Sequence, residues 1–147
     1  MTGILVETDL IVEFLTAPSG RESLLRRLMA AVSCFSTFVQ ASEIYSACDG
    51  ESDRIIVDRA LFGLKILGAS SRYSKTIGLL LSSSGSLRGH RSAIVAAMAL
   101  ESRLALVTDT HFDEHSSVNG LRVISAAALR RTKNSDELMK ALAGTSP

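Results

Sequence analysis

The chain has 147 residues, 46% of them hydrophobic and 21% charged, with 16 basic against 15 acidic side chains, two cysteines and no tryptophan. That length fits a single domain spanning residues 1–147, and an apolar fraction near one half at a formal charge of +1 excludes a disordered polyelectrolyte. The composition supplies no global field for a polyanion and no disulfide framework, and the longest apolar run, Ala93 to Leu100, is far shorter than the roughly 20 residues of a membrane span.

Met1-Thr2-Gly3 leads directly into an apolar segment without a basic leader, so no secretory signal is expected and a cytoplasmic location is the default. Gly3 to Val6 reads as a short strand buried on both faces, followed at once by polar Glu7-Thr8-Asp9. Leu10 to Leu15 reads as a short helix, and Pro18-Ser19-Gly20 as a turn. From Arg21 to Val32, Leu24, Leu25, Leu28, Met29 and Val32 share one helical face, opposite Arg26 and Arg27.

Cys34 to Val39 has strand composition, and both cysteines, Cys34 and Cys48, are expected as free thiols. Ala41 to Cys48 is expected as a helix with Glu43 near its start. After the break at Asp49-Gly50-Glu51-Ser52, helical spacing runs from Asp53 to Leu67 through Ile56, Ala60, Phe62 and Leu64. Between Gly68 and Gly89 a short strand, a helix around Tyr73 to Leu81 and a loop at Ser82 to Ser86 are expected.

Ala93 to Leu100 is apolar on every side and alanine-rich, as suits a helix buried between layers. Leu104 to Val107 and Leu121 to Ile124 read as strands, with a polar connection from Thr110 to Asn119 between them. Ser135 to Leu142 reads as a frayed helix in a peripheral segment from about residue 127 to 147. Short apolar strands alternating with helices imply an α/β fold with a mainly parallel sheet covered on both faces, whose ligands bind beyond the carboxyl ends of the strands.

Acids recur at that rim: Glu7 and Asp9 after the first strand, Asp109 after a late one, and Glu43 on an early helix. Like charges gathered at one place need a cation, and hard oxygen ligands suit Mg2+ or Mn2+, which would activate water toward a phosphodiester. Each acid also has an ordinary structural use, Asp9 as a helix cap, Glu43 as a surface residue and Asp109 as a turn former. Spacing alone leaves both readings open.

Ile4-Leu5-Val6-Glu7-Thr8-Asp9-Leu10-Ile11 resembles the opening signature of PIN-domain proteins, and Thr37 to Ile44, with Glu43, is similar to their second acidic motif. Ala93 to Leu100, Leu106-Val107-Thr108-Asp109, His111-Phe112 and Gly120 to Ile124 resemble the C-terminal half of the family, closest to its toxin-type, VapC-like branch. That resemblance implies a three-layer α/β/α sandwich, Mg2+- or Mn2+-dependent endoribonuclease activity on RNA, a homodimer and an antitoxin partner. It implies Glu7, Glu43 and Asp109 as catalytic metal ligands, supported by Thr8, Asp9, Thr108, Ser92 and Asp113.

Two positions depart from the family pattern. Glu7 stands where an Asp is usual, and Ser92 stands where the third acid normally begins the alanine-rich helix. A serine can cap a helix but supplies no charge, so Ser92 is expected to cap, with Asp113 or Glu114 as the acids near enough in sequence to compensate. Arg88, His90 and Arg91 flank the same helix start, where Arg88 and Arg91 would either contact RNA phosphates or neutralise the remaining acids. The loss of one acid motivates an alternative function, a catalytically weakened PIN domain that binds RNA or protein. His111-Phe112-Asp113-Glu114-His115 also matches a zinc-peptidase pattern, but a short polar connection is a poor frame for it.

Overall fold

The computed structural model describes residues 3–83 and 87–144. Five parallel strands form one sheet in the order β3-β2-β1-β4-β5: β1 (Ile4–Val6), β2 (Cys34–Thr37), β3 (Lys65–Leu67), β4 (Ala105–Thr108) and β5 (Val123–Ser125). The helices in chain order are α1 (Thr8–Thr16), α2 (Leu24–Ala31), α3 (Phe38–Ser46), α4 (Glu51–Leu61), α5 (Ser74–Ser82), α6 (Gly89–Glu101), α7 (Phe112–Ser116), α8 (Ala126–Arg130) and α9 (Ser135–Ala143). Among the described residues no helix is long and apolar enough to cross a membrane.

Side-chain alternation along the strands divides the interior in two. Ile4 and Val6 of β1 and Ala105 and Val107 of β4 face a layer that includes Leu10, Leu25, Leu28, Ile44, Leu129, Leu138 and Leu142, supplied by α1, α2, α3, α8 and α9. Leu5 and Leu106 face the other way, against Val95, Ala96 and Ala99 of α6. Small side chains dominate the buried part of α6, and seven of its residues from Ser92 to Ala99 are buried. The result is the expected three-layer α/β/α sandwich.

Several boundaries differ from the sequence reading, each for a physical reason. Helix α4 ends at Leu61, Phe62 is 92% exposed, and Lys65–Leu67 forms the sheet's edge strand, so the helix expected through Leu67 stops a turn and a half early. Phe38 and Val39 leave the expected second strand because Thr37 caps α3. Its Oγ1 accepts from the Val39 amide at 3.1 Å, while Gln40 reaches back to the Thr37 amide at 3.1 Å. The expected loop at Ser82 to Ser86 falls partly outside the described residues, with Ser82 closing α5.

Within the described residues, the segment from 127 to 144 is not peripheral. Leu129, Leu138 and Leu142 are at most 2% exposed, and α9 is closed at both ends, by the Asn134 side chain accepting from the Glu137 amide and by Gly144 in the left-handed region at φ 76°.

The chain fills the sheet to one side of β1 with β2 and β3, then returns to the other side with β4 and β5. The carboxyl ends of β1 and β4 therefore flank the point where strand order reverses, the usual position of a ligand crevice in such sheets.

Candidate functional site

Glu7 leaves β1 at that crevice and is fully buried, its carboxylate accepting from the Thr8 amide at the start of α1. Glu43 projects from the middle of α3, and its Oε2 accepts from Thr8 Oγ1 at 2.6 Å. Between the two carboxylates lies the guanidinium of Arg91, from the first turn of α6. Its Nη1 and Nη2 donate to Glu7 Oε1 and Oε2 at 2.8 and 2.7 Å, and its Nε and Nη2 donate to Glu43 Oε1 and Oε2 at 2.7 and 3.0 Å. Nη2 also lies 3.3 Å from Thr8 Oγ1. This is the planar, two-pronged geometry in which guanidinium pairs best with carboxylate. The hydrogen bonds from Arg91 hold the Glu43 carboxyl below its ordinary range. Burial disfavours charge on Arg91, but the bonds to both glutamates outweigh it and raise its proton affinity.

Asp109 does not join them. Its Oδ1 accepts from Ser125 Oγ at 3.1 Å and from the Ala127 amide at 2.9 Å, and its Oδ2 accepts from Arg130 Nη1 at 2.7 Å. Arg130 also pairs with Glu13 of α1. Partial burial works against the Asp109 anion, and these donors more than offset it, so its pKa stands below the usual value. Asp109 thus fastens the start of α8 to the rim.

Asp9 has a similar structural occupation. Its Oδ2 accepts from Thr108 Oγ1 at 3.1 Å and from the Asp109 and Thr110 amides at 2.9 and 3.1 Å, tying α1 to the turn after β4. Asp9→Ala leaves those two amides without their acceptor and is expected to cost about 2 kcal/mol in urea denaturation, with Asp9→Asn retaining part of the loss.

Ser92 is not the cap expected from sequence. Arg88 is the N-cap of α6 and makes no side-chain cap bond, while Ser92 lies inside the helix, 2% exposed, and donates to Glu114 Oε1 at 2.8 Å. Glu114 of α7 also accepts from the Arg88 amide at 3.2 Å and pairs with His111 Nδ1 at 2.8 Å. An acid therefore does stand at the start of the alanine-rich helix, but it comes from another element and favours the positive end of the α6 dipole. Asp113 lines the adjoining cleft of about 670 Å3 with Arg88, Arg91, Ser92, His111 and Glu114.

The zinc-peptidase pattern is not assembled. His111 is the N-cap and His115 the fourth residue of the five-residue helix α7, their ring centroids 6.1 Å apart, and His115 is fully buried. Burial lowers the His115 pKa, and neither ring nitrogen has a hydrogen-bond partner, although Nε2 lies 3.8 Å from Glu7 Oε1.

Of the two roles considered for Arg91, the structure gives it the neutralising one. The residues that sequence reasoning missed are Arg130 and Glu13, which complete the Asp109 pair, and His115 as the buried neighbour of Glu7; no sequence signal marks the first two.

These residues do not fit a divalent metal centre. All four oxygens of Glu7 and Glu43 accept from one guanidinium that lies between them, both oxygens of Asp109 are held elsewhere, and among the described residues no three His, Cys, Asp or Glu side chains converge as ligands would.

No protein-family model matches the chain, and no curated protein matches it in sequence. Solved structures do. DNA-bound VapBC from Salmonella typhimurium is similar with a TM-score of 0.69 and 18% identity over 85% of this chain and 98% of that one. VapBC2 from Rickettsia felis, bound to a promoter DNA fragment, gives 0.68 and 16% over 84% and 98%. A toxin-antitoxin complex from Klebsiella pneumoniae gives 0.62 and 18% over 82% and 95%. At these identities the similarity is one of fold, and that fold is the VapC-like PIN fold.

Proposed function

We propose that this chain is a toxin-type PIN protein that pairs with an antitoxin and acts as a protein-binding module, without a preformed hydrolytic metal centre. The observation that carries this reading is the saturation of Glu7 and Glu43 by Arg91, with Asp109 committed to Arg130. The Mg2+-dependent endoribonuclease implied by the sequence resemblance needs those carboxylates to be open to an ion.

Charge at the rim favours a protein partner over RNA. Glu7, Asp9, Glu13, Glu43, Asp109 and Glu114 outnumber Arg88, Arg91 and Arg130 there, and an acidic excess repels phosphodiesters when no metal screens it. Between α1, α3 and α4, Val12, Leu15, Ile44, Ala47, Ile56 and Val57 line a mainly apolar groove of about 340 Å3, with Val12 44% and Ile56 54% exposed. Such a groove suits the apolar face of an amphipathic helix.

The test is co-expression with the protein encoded beside it, followed by size-exclusion chromatography, together with incubation of the purified chain with RNA and Mg2+ or Mn2+. The expected result is a defined complex, weakened by Ile56→Asp, and intact RNA. Metal-dependent cleavage by the wild type that Asp109→Asn abolishes would establish the hydrolytic reading instead. The elution volume of the chain alone also tests the homodimer implied by the resemblance.

A further inference from the structure

A carboxylate with no exposed surface needs a positive partner, and Glu7 is in that position at the end of β1. In PIN-fold chains read as nucleases the partner would be a divalent ion. Here it is a side chain of the same molecule, delivered by the first turn of α6.

We infer that Arg91 is the resident cation of this site, built in where a divalent ion would otherwise sit, and that the wild-type rim takes up neither Mg2+ nor Mn2+. This rests on the reading of the rim as non-hydrolytic and deepens it by naming what holds the acids together.

The geometry supports it in three ways. Arg91 Nη2 is shared by Glu7, Glu43 and Thr8, so the guanidinium occupies the point on which these side chains converge. Each oxygen of the glutamate pair accepts from it, and the two Oε2 atoms also accept from Thr8, so an ion would compete with the guanidinium for every one of them. The carboxylates that would complete a coordination shell are engaged apart from it, Asp109 with Arg130 and Glu114 with Ser92 and His111. An entering Mg2+ would have to shed water, which it does reluctantly, and turn out a guanidinium bonded to both glutamates. Arginine keeps its charge across the whole physiological pH range, so the acids are neutralised without dependence on metal supply.

Two measurements on the full chain test this. Titration calorimetry of the wild type with MnCl2 is expected to show no saturable uptake, and millimolar MnCl2 to leave its Tm unchanged. Arg91→Met is expected to melt about 6–10 °C lower without metal, since it strands a buried charge, and to recover part of that loss in MnCl2 because the vacated acids now bind the ion. Arg91→Lys keeps a charge but loses the fork, and is expected to fall between the two and to ignore MnCl2.

The inference is overturned if the wild type binds Mn2+ saturably, if Arg91→Met melts with the wild type, or if MnCl2 leaves the Arg91→Met Tm unmoved. Should Arg91→Met fail to fold, the wild-type titration and Arg91→Lys still decide the matter. Saturable Mn2+ uptake with intact RNA would sink this inference alone, whereas uptake accompanied by RNA cleavage would sink the proposed function as well.

Discussion

Glu7→Gln is expected to lower the stability of the protein by about 3 kcal/mol, read as a shift of the urea midpoint at unchanged slope. The substitution keeps the shape of the side chain but removes its charge and turns one acceptor oxygen into an NH2 group that faces donors from Arg91 or Thr8. Glu7 is fully buried, and Arg91, whose side chain is 25% exposed, would be left sharing a single carboxylate, Glu43. Breaking a buried ion pair from one side costs roughly 3–5 kcal/mol, and the partial exposure of Arg91 places this case at the lower end.

The magnitude separates two accounts of the pair. If Glu7 and Arg91 matter through charge complementarity, removing both in Glu7→Gln/Arg91→Met costs much less than the sum of the single changes, because no ion is stranded. If each side chain instead contributes by packing alone, the two losses add. Additive losses would also remove the physical basis for treating Arg91 as a cation held by this site.

The layered fold was legible because its signals are local. Alternation in Ile4-Leu5-Val6 and Ala105-Leu106-Val107 places one set of side chains on each face of a sheet, and the alanine-rich run Ala93 to Leu100 has no polar face to offer water. Strand β3 was hidden because Leu64 and Leu67 continue the helical spacing of α4, while an edge strand of Lys65, Ile66 and Leu67 has no strict inward alternation to reveal it. The site was legible in position but not in connection. A carboxylate following a strand must stand at the rim, and Glu7, Asp9 and Asp109 all do. Which partner each one faces depends on contacts 84 residues apart for Glu7 with Arg91 and 21 apart for Asp109 with Arg130, which no local pattern encodes. For the same reason the acid missing at position 92 could be narrowed to Asp113 or Glu114 but not assigned between them, because the Glu114 side chain reaches Ser92 only once α7 folds against the start of α6.

Leu106→Ala is the core substitution with the largest expected loss, about 3–4 kcal/mol in urea denaturation or roughly 6–16 °C in Tm. Leu106 is fully buried in β4, whose neighbours in the sheet are β1 and β5, and its side chain meets α6 through Val95, Ala96 and Ala99. On the α6 side those partners are short, while Leu5, Val118 and Leu121 belong to the same cluster. Alanines cannot swing into a vacated space, so much of the void left by three lost carbons stays open. The same truncation at Leu79, which is 59% exposed on α5, is expected to change stability by less than about 0.5 kcal/mol. A comparable loss at both positions would mean that the interior over α6 collapses readily, and that the alanine-rich helix is not the rigid support on which Arg91 is carried to Glu7.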